Sequence, residues 1–454
     1  MKKIAPLLYI LISIQCSFIE SPMTPNLSVH PRPINHPDWV KDAIIYEVNI
    51  RQYTPEGTFE AFERHIPRLK NLGVKILWLM PIHPIGEQNR KGSLGSYYSV
   101  QDYYKVNPEF GTMDDLKSLV SSAHDAGMYV IIDWVPNHTA WDHPLTSEHP
   151  EYYLQDKDGQ FIPPIGTDWD DVIALDYHQK GLIKYMKSAM KYWVKNADID
   201  GFRCDVAGYV PMSFWREIRY ELEREKEVFM LAEWNERDCH EAFDMTYAWE
   251  LEEIMKQIAS GDKKASAMTG YLAKMLNSYP LDYIKMNHTT NHDKNSWEGT
   301  VFERFGKAAE TFAVMTFVVE GMPLIYSGQE VGLSRAIAFF DKDSISWGDH
   351  PFNALYDRLG KLKIDNPVLW NGNWGGRLQL IAHDKPNQVV AFGREKNNNR
   401  VVAIFNLSDQ PVEFKLDKPW WNGTYKRFKS RDQYELMNQE DILLSPWGYE
   451  IFIQ

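Results

Sequence analysis

The sequence predicts an α/β protein: a (β/α)8 TIM barrel with an inserted loop domain after strand 3 and a C-terminal all-β sandwich domain. Three observations carry this. Short apolar, β-rich runs alternate with helical patterns from Ala43 onward. Those runs are continuous rather than alternating, as in parallel strands covered by helices. Beyond about residue 375 the helical patterns stop, and short strands separated by turn residues take over.

Taken in order, AIIYEVNI (43–50) reads as a strand and FEAFERHIPRLKNLG (59–73) as an amphipathic helix ending at Gly73. KILWLMPI (75–82) is a second strand, MDDLKSLVSSAHDAG (113–127) a helix, and MYVIIDWV (128–135) a third strand. After an insertion over 137–178 the pattern resumes with helix 180–196, strand IDGFRCDVA (199–207), helix 211–224 and strand EVFMLAEW (227–234). MTYAWEL (245–251) is a weaker strand. YIKMNHTTN (283–291) and MPLIYSGQ (322–329) follow, with helix 303–319 between them. Eight strand–helix units over roughly 330 residues fit a closed barrel, spanning 38–374 with its insertion, and 375–454 form the sandwich. The insertion has no clear periodicity, and a loop this long inside a compact domain is usually functional.

The chain's 454 residues suit one large domain with attachments. The N-terminus MKKIAPLLYILISIQC has the charge-then-apolar order of a signal peptide, read over 1–20, followed by a Pro/Ser/Asn-rich linker over 21–37. An exported protein, periplasmic or extracellular, is expected. Cys16 resembles a lipidated cysteine, which would be the chain's one membrane link, but the bulky Gln15 before it departs from that pattern, so lipoprotein and plain cleaved leader both stand. The net charge of −13 argues against nucleic acid and anionic lipid surfaces as partners. Three cysteines cannot build a disulfide framework, and Cys204 and Cys239 read as buried free thiols. Aromatic residues make up 13% of the chain, which suits both a core and a surface that stacks on sugar rings.

Barrel active sites gather at the carboxyl ends of the strands. There three segments deliver an acid to one mouth: Asp205, Glu233 and Asp293. Period-two alternation puts Arg203 and Asp205 on the inner face and turns Cys204 outward, making it a packing thiol. An arginine two residues from Asp205 can hold it ionised, while clustered acids raise the proton affinity of at least one. A neutral carboxylic acid beside a carboxylate is the equipment for cleaving glycosidic bonds.

The motifs at these positions resemble a known family. DWVPNHT (133–139), GFRCDVA (201–207), LAEW (231–234) and TTNHD (289–293) are similar to the four signatures of the α-amylase family of glycoside hydrolases. GSYYSVQDYY (95–104), LDYHQ (175–179) and GMPLIYSGQE (321–330) are similar to its accessory segments, in the family's order. The resemblance implies Asp205 as nucleophile, Glu233 as general acid/base and Asp293 as transition-state stabiliser. It implies that Arg203 holds the nucleophile ionised, that His138 and His292 hydrogen-bond the sugar, that Tyr98 stacks beneath it, and that Asp133 is mainly structural. The substrate implied is an α-glucan or maltooligosaccharide, and no organic cofactor is required.

Gly208 and Tyr209 stand where many α-amylases carry Lys-His, which leaves α-1,6-glucosidase, cyclomaltodextrinase- or neopullulanase-like, and transglycosylase activities open beside α-1,4 hydrolysis. Asn137 matches a calcium ligand of the family, and the insertion offers Asp168, Asp170 and Asp171; a calcium site and solvated carboxylates both fit, and calcium is not expected to be obligatory. Trp141 and Trp234 read equally as sugar platforms or packing. A non-catalytic binding protein on this fold would have lost the acids, and a metal-dependent hydrolase would show a compact His/Asp cluster such as HxH.

Overall fold

The computed structural model describes residues 34–417 and 419–454. The leader over 1–20, Cys16 and the linker up to residue 33 lie outside them.

Apolar residues at every second position of eight short strands close the barrel. The strands are β1 (Ile45–Val48), β2 (Ile76–Leu79), β3 (Tyr129–Trp134), β6 (Gly201–Cys204), β7 (Phe229–Ala232), β8 (Met245–Tyr247), β9 (Ile284–Asn287) and β10 (Met322–Tyr326), with β4 (His138–Ala140) and β5 (Val172–Ala174) in the insertion. Around the barrel the order is β1-β10-β9-β8-β7-β6-β3-β2, every pair parallel. Ile45, Ile76, Ile131, Phe229, Met245, Ile284 and Met322 fill its interior, while the alternate residues pack outward on the helices. Two residues further along β1, β3 and β6 the inward positions become Glu47, Asp133 and Arg203, all fully buried. The polar site thus begins where the apolar plug ends.

One contact fixes the seat of Arg203. Gly201 opens β6 at φ +149, and a Cβ there would lie 1.8 Å from the carbonyl oxygen of Phe229 on β7. Only glycine allows β6 and β7 to pair at this point.

Several elements differ from the sequence reading. The helix over 59–73 is two helices, Phe59–Glu63 and Ile66–Asn71, because Pro67 has no N–H to continue the ladder. The helix over 303–319 breaks at Gly306 (φ 52) into Val301–Phe305 and Ala309–Val318. The candidate strand 245–251 ends at Tyr247, and Trp249 starts the helix Trp249–Ala259, which a second helix, Ala265–Ser278, follows before β9. The strand read over 43–50 stops at Val48, with Ile50–Tyr53 already helical. The last barrel helix, Pro351–Asp365, carries a capping box from His350.

The C-terminal part comprises β11 (Leu378–Leu380), β12 (Val389–Lys396), β13 (Asn399–Asn406), β14 (Val412–Lys415), β15 (Gly423–Arg427), β16 (Gln433–Leu436), β17 (Asp441–Leu444) and β18 (Tyr449–Ile453). A six-stranded antiparallel sheet, β11-β12-β13-β18-β15-β16, faces the ribbon β14-β17. Val389, Ala391, Val402 and Ile404 pack toward Val412, Phe414, Ile442 and Leu444. Val390, Phe392, Val401 and Ala403 on the other face join the barrel's outer core. Both faces are covered, so these strands are continuously apolar. Arg394, buried at this junction, donates to the carbonyls of Val318, Val319, Trp370 and Gly376, taking up the orphan carbonyls at the end of helix Ala309–Val318.

Replacing Gly201 with alanine is expected to destabilise the chain by about 3 kcal/mol or more, since the colliding atom is backbone and cannot give way. Urea unfolding, or loss of soluble protein on expression, checks it.

Candidate active site

Four strand ends converge on one guanidinium. Arg203 Nη1 lies 2.9 Å from Asp133 Oδ1 and 2.9 Å from Asp205 Oδ1, and its Nη2 lies 2.9 Å from Glu233 Oε1. Its Nε donates to Tyr247 Oη at 3.3 Å. The rings of Trp78, Tyr98 and Tyr247 surround it, centroids 5.1, 5.7 and 5.9 Å away. A fork of this shape serves several carboxylates at once, which a lysine's single ammonium cannot do.

Backbone geometry holds the acid beside it. Val206, directly after Asp205, adopts φ 35, a conformation that costs a β-branched residue about 1–3 kcal/mol. Its N–H donates to Glu233 Oε2 at 2.7 Å. The strained residue thus ties the ends of β6 and β7 together.

The electrostatics separate the acids. Burial pushes Glu233 up to about 8; Arg203 pulls it down, and Asp205 and Asp293 push it up again. Burial pushes Asp205 only to about 6, Arg203 working against that and Asp133 with it. Near pH 7 Glu233 is therefore protonated and Asp205 ionised. Arg203 favours the ionised form of Asp205, as expected, but burial outweighs it. Asp133, fully buried, also rises to about 6 through burial, and receives Trp78 Nε1 and Tyr98 Oη at 3.1 Å each. Asp293 sits further out, its side chain 42% exposed.

Tyr98 Oη lies 2.7 Å from His292 Nε2, and the two rings stack at 5.4 Å. His292 Nδ1 bonds Glu47 Oε1. Burial lowers the proton affinity of His292, but the charges of Asp293 and Glu47 win and lift its pKa to about 9. His138 has no such partner; burial drops it to about 4, so its ring is neutral. The two histidines differ in charge for reasons the sequence does not display. Glu47 was missed in the sequence reading; an acid at an inward position of an apolar strand was the signal that could have found it. Cys204 and Cys239 are buried free thiols, and burial raises both well above the ordinary range for a thiol.

On the Glu233 side, Trp234 lies over Gly208, where a Cβ would meet Trp234 Cε2 at 2.1 Å. A lysine at 208 cannot coexist with this indole. Tyr209 and Trp234 instead form an aromatic pair with centroids 5.6 Å apart. Trp141 Nε1 donates to Asp170 O at 2.9 Å within the insertion.

The acids considered for calcium are already paired. Lys91 Nζ lies 2.8 Å from Asp170 Oδ1 and 3.1 Å from Asp171 Oδ1, and it also reaches Asp168 O, so these acids already face a cation. The Asn137 amide nitrogen lies 3.3 Å from His138 Nδ1. Among the described residues no group of three or more His, Cys, Asp or Glu side chains is arranged to hold a metal ion.

A family model for the alpha amylase catalytic domain matches residues 36–172 and 165–372, and one for the alpha amylase C-terminal all-beta domain matches 380–448. The chain belongs to the α-amylase family, glycoside hydrolase family 13. The crystal structure of the maltogenic alpha-amylase AmyB from Thermotoga neapolitana is 30% identical with a TM-score of 0.84, covering 91% of this chain and 99% of its own. The alpha-amylase MalA of Haloarcula japonica is 27% identical over 400 residues, 84% of this chain, which spans 58% of MalA's length. A cyclomaltodextrinase from a Bacillus species is 26% identical, the match covering 82% of this chain and 73% of that protein.

Glu47→Gln is expected to leave the fold intact and to lower the His292 pKa from about 9 by at least one unit, since one of its two anionic partners is gone. One unit is about 1.4 kcal/mol. A titration of the imidazole by nuclear magnetic resonance reads it; an unchanged value contradicts the pairing.

Proposed function

We propose that this chain is a retaining α-glucan hydrolase that cuts α-1,4-glucosidic bonds in starch or maltooligosaccharides. The observation that carries this is the single guanidinium that lies 2.9 Å from both Asp205 and Glu233, in surroundings that raise the proton affinity of Glu233 above that of Asp205. Retaining glycosidases hold such a pair roughly 5–5.5 Å apart, a spacing that one arginine fork permits.

In the proposed cycle Tyr98 stacks beneath the sugar at the cleavage point, and His138 and His292 bind its hydroxyls. Glu233 gives its proton to the glycosidic oxygen as Asp205 attacks the anomeric carbon, and the carbon–oxygen bond breaks. Asp205 keeps Oδ1 on Arg203, leaving its other oxygen to form the glycosyl ester. Asp293 stabilises the developing oxocarbenium charge. Glu233, now a carboxylate, takes a proton from water, whose oxygen displaces Asp205 and restores the original configuration. No step runs through a cofactor. We also propose export, from Lys2, Lys3 and the apolar run that follows them.

A second reading keeps the same site but transfers the glycosyl unit to another sugar, or prefers α-1,6 bonds or cyclic dextrins. The Tyr209–Trp234 pair over Gly208 favours it, because an aromatic surface beside the acid would retain an acceptor sugar. The similarity to a cyclomaltodextrinase agrees with it.

Products from maltoheptaose and pullulan separate the two: shorter linear maltooligosaccharides support α-1,4 hydrolysis, and products longer than the substrate sink it. Asp205→Asn is expected to cost about 10⁴-fold or more in kcat on starch with the fold kept. An unchanged rate removes Asp205 as nucleophile. The kcat/KM profile of the unaltered chain is expected to be a bell. It should fall below about pH 6 as Asp205 gains a proton and above about pH 8 as Glu233 loses one.

A further inference from the structure

An exposed indole stands at the rim of the site, and nothing in the proposed cycle uses it. Trp297 is 59% exposed, more than any other tryptophan among the described residues. A lone exposed aromatic needs no explanation, but Trp297 is not alone. Its ring lies 5.3 Å from Phe339 and 5.9 Å from Phe340. Phe339 in turn runs parallel to Tyr98, at 6.2 Å with an interplanar angle of 10°, and sits 6.4 Å from His292. The rings form an unbroken path from the floor of the site, at Tyr98, to solvent at Trp297.

The path is built rigidly. Trp297 rides on a single π-helical turn, Lys294–Glu298, that starts directly after Asp293; such turns recur at functional sites. Asn295 on this turn donates to Arg335 O at 3.1 Å and accepts from Ile337 N at 2.9 Å, and Ser296 Oγ donates to Ile337 O at 3.4 Å. The turn bearing Trp297 is thereby stitched to the loop bearing Phe339 and Phe340. A preset aromatic surface orders few rotamers when it binds.

Its position gives direction. The acid and Trp234 follow β7, which lies across the barrel from β1. Tyr98 follows β2 and Phe339 follows β10, the two neighbours of β1, and Trp297 follows β9, one strand further round, so the ring path starts on the wall opposite the leaving group. The C–H faces of glucose are flat and apolar enough to lie on such rings.

We infer that Trp297, with Phe339 and Phe340, is a binding platform for glucosyl units on the non-reducing side of the cleaved bond, so that this enzyme reads the length of the glucan chain it holds by its donor side. This rests on the α-glucan reading, and the test separates the two. An Asp205→Asn chain, unable to turn substrate over, is titrated calorimetrically with maltose and with maltoheptaose, with and without Trp297→Ala. The platform requires maltoheptaose to weaken about three- to tenfold, the range of one aromatic contact. Maltose should be unaffected, and Trp297→Phe should restore most of the loss. Equal weakening of both sugars, or of neither, overturns the platform while leaving the α-glucan reading in place. Binding of neither sugar by the Asp205→Asn chain overturns that reading, and the platform with it.

Discussion

The buried guanidinium of Arg203 is the interaction on which the rest of the site depends. Three carboxyls, at the ends of β3, β6 and β7, meet it within ion-pair distance. Burying an ion costs several kcal/mol after relaxation, and one cation cannot neutralise three anions. The site resolves the imbalance by keeping a proton. Glu233, buried and repelled by Asp205 and Asp293, is the acid on which that proton settles, against the pull of Arg203 and of the Val206 N–H. In the proposed cycle the acid that cleaves the glycosidic bond is thus a consequence of the charge balance around one arginine.

The fold supplies the geometry this requires. Strands β6 and β7 approach closely at their starts because Gly201 has no side chain, and their ends are tied again by the strained Val206. Between those points Arg203 has a single seat. On the opposite wall Glu47 holds His292 through Nδ1, and Asp293 Oδ2 lies 3.4 Å from the same ring's Nε2, so two acids keep this histidine cationic.

Much of this was legible in the sequence, for identifiable reasons. The barrel strands are short continuous apolar runs, and all eight were found, because covered parallel strands leave no other pattern. The acids stood at strand ends, where barrel chemistry must gather. What the sequence could not display was dependence on contacts distant along the chain. Glu47 and His292 are 245 positions apart. The Lys91 pairing with Asp170 and Asp171, which fills the place read as a cation site, crosses from one loop to another. The helix Trp249–Ala259 was read in part as strand because its first turn shares residues with an apolar run ending at Tyr247. Trp297 gave no periodic signal, since a π turn follows neither a helix nor a strand period.

The most direct measurement is the acid limb of kcat/KM in an Arg203→Lys variant whose fold has been verified by circular dichroism. Lysine keeps a buried positive charge but cannot fork to Asp133, Asp205 and Glu233 together. If the arginine's fork is what restrains Asp205, the acid limb moves above about pH 6 and the active window narrows toward the Glu233 limb. An acid limb that stays where it is in the unaltered chain would contradict the account.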